Sequence, residues 1–319
     1  MLLNIGSLGR ENGMGSESGH THTIGLVAHP RNPVAGSVTL IREFAATRGA
    51  TLIAPEADAA RLGADVHPVT AAEFAERATA VVSLGGDGTM LGAMRLVVGR
   101  PTPVFGVNHG NLGFLVEVSP AELPVALDRL TRGDFLLEPH SCLMVDGAAA
   151  FNDAVVTGTR QWATVNVDLA VHGVQYGYYR CDAVVACTPT GSTAYNYAAG
   201  GPVLSPSVPA LALTAVAPMT GIDRTVVFGV DDAVTLTNRS GETARVLLDG
   251  VHTRDLLPGA GLGVRLHQDA VNLVRFDAAT HARRNRVKLS LLDLPMRPDQ
   301  LLELVPEEIR EQAQRLRSR

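Results

Sequence analysis

The chain has 319 residues, 46% apolar, 18% charged and only 4% aromatic, with a formal net charge of −5. Its length exceeds what one core usually serves, and the abundant aliphatic side chains suit tight packing, so a globular chain of two domains is expected. The absence of a basic stripe argues against nucleic acid or an anionic membrane as partner, and three cysteines (Cys142, Cys181, Cys187) without paired CxxC spacing argue for core thiols in a reducing, cytoplasmic compartment rather than a zinc site.

Residues 1–21 combine a short apolar stretch with Gly, Ser and charged residues, too little for a signal peptide or membrane span, and read as a flexible tail. His20 and His22 lie at its end without a third ligand and read as solvated. TIGLVAHP (23–30) predicts a short strand. SVTLIREFAATRG (37–49) places Leu40, Ile41, Phe44 and Ala45 at helical spacing, with Gly49 as the stop. Strands follow at 51–55, 78–84 and 102–108, with helices at 73–78 and 89–98. This alternation predicts βαβ units and a mainly parallel sheet.

From about residue 140 the texture changes. Thr- and Val-rich runs at 150–158, 164–173, 175–187, 211–218, 225–230, 233–238 and 244–250 are separated by Gly, Asp, Asn or Pro, as in an antiparallel sandwich. RVKLSLLDLP (286–295) and a charged helix at 306–319 close the chain, the latter packing on the first domain or projecting from it.

Gly85-Gly86-Asp87-Gly88-Thr89 follows an apolar strand and opens a helix at about Thr89. Backbone N–H groups and the helix dipole at such a turn form a phosphate site. Asp87 is itself anionic, so its carboxylate should face a sugar hydroxyl or a metal ion instead. Neither GxxxxGK[ST] nor GxGxxG occurs, which disfavours P-loop ATPases and Rossmann dehydrogenases.

The pentapeptide GGDGT resembles a kinase superfamily containing NAD kinases, diacylglycerol and sphingosine kinases and, more distantly, 6-phosphofructokinases. The next motifs choose among them. Gly106-Val107-Asn108-His109-Gly110-Asn111-Leu112-Gly113-Phe114-Leu115 resembles the GxNxGxLGFL signature of NAD kinases. The string from Asp182 through Thr188-Pro189-Thr190-Gly191-Ser192-Thr193-Ala194-Tyr195 and Ala198 to Gly200-Gly201-Pro202 resembles their DGxxxxTPTGSTAY…GGP signature, and its five hydroxyl side chains, at 188, 190, 192, 193 and 195, read as a rigid donor-rich loop. With Asn152-Asp153 matching an Asn-Glu pair, four motifs occur in family order over residues 85–206, within a resemblance covering about residues 23–276.

That resemblance implies an N-terminal Rossmann-like parallel α/β domain (22–139), a C-terminal β-sandwich-like NAD-binding domain (140–278) and a terminal segment (279–319). It implies transfer of a phosphoryl group from ATP to the 2′-hydroxyl of the NAD adenosine ribose, with Mg²⁺ or another divalent cation and no protein-held metal, in a homodimer or homotetramer. Asp87 would contact the ribose and activate its hydroxyl. Gly88, Phe114, Asn152, Asp153, Asp182, Thr190, Thr193, Ala194, Tyr195 and Ala198 would bind NAD, while Gly85, Gly86, Gly88, Thr89, Asn108 and Gly110 would cradle phosphates.

Two positions depart from the family pattern. Asp153 stands where Glu is more frequent, and Ala183 replaces the Gly after Asp182; the sequence from Arg283 onward also differs from the usual ending. Rival readings are a lipid kinase of the diacylglycerol or sphingosine type, which lacks the third motif, and a silent NAD-binding regulator. Arg31 reads as a solvated loop residue, and Asp249-Gly250 as a hairpin turn in preference to a site carboxylate.

Overall fold

A continuous aliphatic strand cannot leave either face in water, so the Val- and Leu-rich runs of the first half pair side by side and are covered on both faces. The computed structural model describes residues 22–110, 115–116, 118–160 and 163–277. Its first half runs β1 (Thr23–Ala28), α1 (Ala35–Arg48), β2 (Thr51–Pro55), α2 (Glu56–Leu62), β3 (Val66–Val69), α3 (Ala71–Arg77), β4 (Ala80–Gly85), α4 (Asp87–Leu96), β5 (Pro103–Asn108) and α5 (Leu123–Thr131). The five strands are parallel in the order β5-β4-β1-β2-β3. Ile41 of α1 and Leu127 of α5 pack on one face, and Phe74 of α3 with Met90 and Met94 of α4 on the other.

The strand order places the chain reversal between β1 and β4, the crevice where open α/β sheets bind ligands. Helix α1 ends at Gly49 in the left-handed region, as its spacing predicts. Helix α4 begins at Asp87, two residues before the expected start. Elements α2, β3 and α5 had no counterpart in the expected order. The first two are short, with Ala59, Leu62, Val66 and Val69 as their only buried residues, too few to show a period.

The second half contains β6 (Leu136–Val145), β7 (Ala148–Ala150), β8 (Asp153–Gly158), β9 (Val165–Val171), β10 (Val174–Cys181), β11 (Ala183–Cys187), a 3₁₀ turn (Thr190–Thr193), α6 (Tyr195–Ala198), β12 (Ala210–Val216), β13 (Thr220–Gly221), β14 (Val226–Gly229), β15 (Val234–Asn238), β16 (Ala244–Leu248), β17 (Val251–Leu256) and β18 (Gly261–Arg275). One sheet is antiparallel in the order β14-β12-β11-β8-β16-β17. The other runs β13-β10-β9-β15-β18 and continues directly into β5. Leu143, Val167, Val184, Leu211, Val246 and Val264 contribute to the core between these sandwich-like sheets.

Strand β18 joins the two halves. It pairs antiparallel with β6 along both its ends and with β15 at its start, while Asn272 and Leu273 also pair parallel with Pro103 and Val104 of β5. The single run expected at 175–187 is two strands in different sheets, broken at Asp182. Strand β10 lies near a sheet edge with much of its length exposed, whereas β11 is central and wholly buried. A hydrophobic run alone does not reveal that change of sheet.

The terminal strand and helix expected at 286–295 and 306–319 lie outside the described residues, as do residues 1–21 and Phe114. Among the described residues, no helix is long and apolar enough to cross a membrane.

Candidate active site

The turn after β4 is too tight for side chains. A Cβ on Gly85 would lie 2.2 Å from Oγ1 of Thr89, so only hydrogen fits where the chain folds back into α4. Gly86 caps that helix in an extended conformation, and both Gly86 and Gly88 face open space. They line a cleft of about 460 Å³ with Thr89, Gly92, His29, Pro30, Asn32 and Gly110, at the carboxyl ends of β1 and β4. The N–H groups of the first helical turn and the positive end of the helix dipole suit this cleft to an anion.

The cleft walls are tied to each other. Asn32 Nδ2 donates to the His109 carbonyl at 3.0 Å, and His109 Nε2 lies 3.0 Å from Ser37 Oγ. Asn108 uses its carboxamide oxygen to accept the Gly110 N–H at 3.0 Å, so it shapes the loop that lines the cleft. Arg31 is exposed in the loop after β1, and its own N–H is held by His29 Nδ1.

Asp87 is the first residue of α4 and the one acidic residue of its first turn. Its Oδ1 accepts the Leu115 N–H at 3.0 Å. This contact links the glycine turn to the second motif across the sheet end.

A second cleft, about 420 Å³, is lined by Asn152, Asp153, Val155, Thr157, Tyr195, Leu247, Asp249 and Gly250. Asp249 organises it. The Asp249-Gly250 pair forms a two-residue hairpin between β16 and β17 with both residues at positive φ (48° and 77°). The fully buried Asp249 carboxylate accepts the backbone N–H groups of Phe151, Asn152 and Asp153 at 3.1, 2.7 and 3.2 Å. Arg95, in the last turn of α4, pairs with the same carboxylate at 3.1 Å. One helix therefore lines the first cleft with its first turns and reaches the second through its last.

Asp153 sits beside this charge and is itself buried. Burial pushes its carboxyl from an ordinary 3.8 up to about 6; the Asp249 charge adds to the rise, and the Tyr195 backbone N–H opposes it. The Tyr195 ring is 41% exposed at the cleft.

The loop of the third motif packs directly on the Asn152 bend. A Cβ on Gly191 would lie 1.9 Å from the Asn152 carbonyl oxygen, so glycine is required by close approach. Thr188 Oγ1 donates to the Phe151 carbonyl at 2.6 Å, Ser192 Oγ to that of Pro189 at 2.6 Å, and Thr193 Oγ1 to that of Thr190 at 3.2 Å. Three of the loop's five hydroxyls thus donate within the protein, because a tight loop must satisfy its own buried carbonyls. Ala194 precedes α6 and Ala198 closes it. Asn196 Nδ2 binds the Ser192 and Pro202 carbonyls, fixing the loop's return.

Asp182 is exposed at the junction of β10 and β11, and its carbonyl accepts from Thr157 Oγ1 of the second cleft at 3.1 Å. Ala183 buries its methyl beside Val155 and Val185, so the departure from glycine is accommodated by packing.

The sequence did not point to Arg95, and at Asp249 it favoured the turn over a site carboxylate. Asp-Gly after an apolar run signals a turn, and that turn is real. Its side chain reaches a bend about a hundred residues earlier, which no local pattern encodes.

The chain matches family models for the ATP-NAD kinase N-terminal domain over residues 24–135 and the ATP-NAD kinase C-terminal domain over residues 151–276. It is similar to the NAD kinase of Gemmatimonas aurantiaca, 38% identical over 68% of this chain and 81% of the relative. The NAD kinase of Ralstonia nicotianae is 32% identical over 84% of this chain and 92% of its own. In fold it is similar to yeast NADH kinase complexed with NADH (TM-score 0.79, 19% identity, 88% and 90% coverage) and to an NAD kinase from Archaeoglobus fulgidus in complex with ATP (0.64, 23%, 85% and 98%).

Asp249→Ala would leave three N–H donors and Arg95 without their acceptor, and should lower unfolding free energy by roughly 3 kcal/mol in a urea titration. The Asp153 carboxyl binds protons more tightly in the folded state. Stability from this group is therefore greatest below about pH 4 and falls as pH rises to about 6, by about 3 kcal/mol. Asp153→Asn should remove that decline, seen as a parent-minus-variant difference in urea midpoints measured between pH 4 and 7.

Proposed function

We propose, from the premise that this chain belongs to the ATP-NAD kinase family, that Asp87 directs the 2′-hydroxyl of the NAD adenosine ribose at the γ-phosphorus of ATP lying over the glycine cleft. The protein is a phosphotransferase with NAD and ATP as substrates and NADP and ADP as products. The observation that carries the placement is Asp87 itself, a carboxylate in the first turn of a helix opening on an anion cleft, with one oxygen held by the Leu115 N–H.

Phosphoryl transfer depends on positioning and charge neutralisation. Gly86, Gly88 and Thr89 bring N–H groups and the α4 dipole to the donor's phosphates, with Gly85 making the turn and Asn108 and Gly110 forming the opposite wall. Asp87 aligns the acceptor hydroxyl and takes its proton as the O2′–Pγ bond forms and the Pγ–O bond to ADP breaks; the proton then passes to solvent. Asn152 and Asp153 hold ribose and adenine-side groups, and Thr190, Thr193, Ala194, Tyr195 and Ala198 line the adenosine site. Asp182 lies toward the nicotinamide end. The half-exposed Tyr195 ring next to Asp153 supports this assignment.

Among the described residues no cluster of three His, Cys, Asp or Glu could hold a metal ion. Mg²⁺ belongs to this reading as an ion carried on the nucleotide phosphates, where it would neutralise charge on the transferring group. A homodimer or homotetramer belongs to the same reading, supported by exposed Val174, Tyr176, Tyr178 and Met219 along β10 and just before β13. The buried free thiols of Cys142, Cys181 and Cys187 support a reducing, cytoplasmic setting.

Purified protein incubated with NAD, ATP and Mg²⁺ should yield NADP, detected with an NADP-specific dehydrogenase. Asp87→Asn should lower kcat on the order of 10²–10⁴-fold while calorimetry still shows NAD binding; parental turnover in the variant would overturn the role of Asp87.

A further inference from the structure

We propose that Arg275, at the end of β18, is a positioning residue for Asp87, acting through Leu115 and steadied by Glu138. The inference rests on the reading of Asp87 as the carboxylate that aligns the acceptor hydroxyl. Leu115 is gripped on both sides of its Cα. Its N–H donates to Asp87 Oδ1 at 3.0 Å, and its carbonyl accepts Nη1 of Arg275 at 2.9 Å. Its side chain is only 4% exposed, so the residue has little freedom left.

Arg275 is 2% exposed, and a guanidinium at that depth requires partners. Its Nε donates to Glu138 Oε2 while Nη1 reaches Leu115, so one planar fork serves a carboxylate and a backbone carbonyl together. A buried ion pair is a weak device for stability, since apolar residues of similar volume often serve as well. Its value here is directional. The adjoining chain is also fixed: Asn108 N–H donates to the Val118 carbonyl at 2.7 Å, and Val118 N–H to that of Gly106 at 3.2 Å. The segment bearing Leu115 therefore lies between the end of β5 and the end of β18, and the second half of the chain sets the angle of Asp87 in the first.

Arg275→Lys keeps a cation beside Glu138 but lacks the fork. Arg275→Met combined with Glu138→Gln removes both charges of the pair, so neither is left facing a vacated partner. In both, kcat for NADP formation should fall roughly 10- to 100-fold, with KM for NAD changed by less than about threefold, because a displaced carboxylate weakens the transition state more than ground-state binding. Melting curves accompany both variants. Turnover within about twofold of the parent, or a rise in KM that accounts for the whole loss, would overturn the proposal; unfolding of both variants would assign Arg275 to the core and overturn it equally. Asp87→Asn separates the two levels. Its inactivity beside a fully active Arg275→Lys sinks this inference alone, whereas its full activity sinks the reading of Asp87 beneath it.

Discussion

The site depends on one buried carboxylate. Asp249 would be expensive to desolvate alone, yet three consecutive backbone N–H groups and Arg95 converge on it. Because those donors come from the bend at 151–153 and from α4, satisfying the charge also fixes where the bend lies relative to the glycine turn. The Gly191 loop then packs on the Asn152 carbonyl too closely for any side chain, extending that placement to the third motif. A requirement for charge compensation thus becomes the geometry of a two-substrate site.

The two clefts differ in electrostatic character. The glycine cleft presents a helix N-terminus, a setting for phosphates. The second presents Asp153, an acceptor suited to hydroxyl and amino donors rather than to anions, beside an Asp249 already occupied by protein donors. Separating the helix N-terminus from the buried carboxylates keeps an anion-attracting cleft away from like charge; Asp87, at the first turn of α4, is the carboxylate at the boundary.

Strand β18 makes these parts one framework. By pairing with β15 and β6 and also running parallel to β5, it continues a single sheet through both halves of the chain. Shear between the halves would have to break ladder hydrogen bonds as well as side-chain contacts. The glycine turn at the end of β4 and the loop after β11 are consequently referenced to the same backbone.

The parallel α/β half, the antiparallel β half and the phosphotransfer motifs were all legible in the sequence, because each rests on short-range signals: aliphatic runs, Gly-rich turns at strand ends, and residue types at fixed spacing. Asp87 and Asn152-Asp153 stand out as candidates for the same reason. The split of 175–187 at Asp182 was not legible, since both strands are apolar and only their sheet neighbours differ. Nor could the internal use of Thr188, Ser192 and Thr193 be foreseen, because hydroxyl density reads the same whether its partners are a ligand or the loop's own carbonyls. The sequence by itself determined the chemistry available and the order in which it occurs. Tertiary structure alone decided that Asp249 clamps the 151–153 bend, that Arg95 reaches it from α4, and that Arg275 meets Leu115, because these contacts span from about a hundred to a hundred and sixty residues and depend on strand register and buried charge rather than on neighbouring residues.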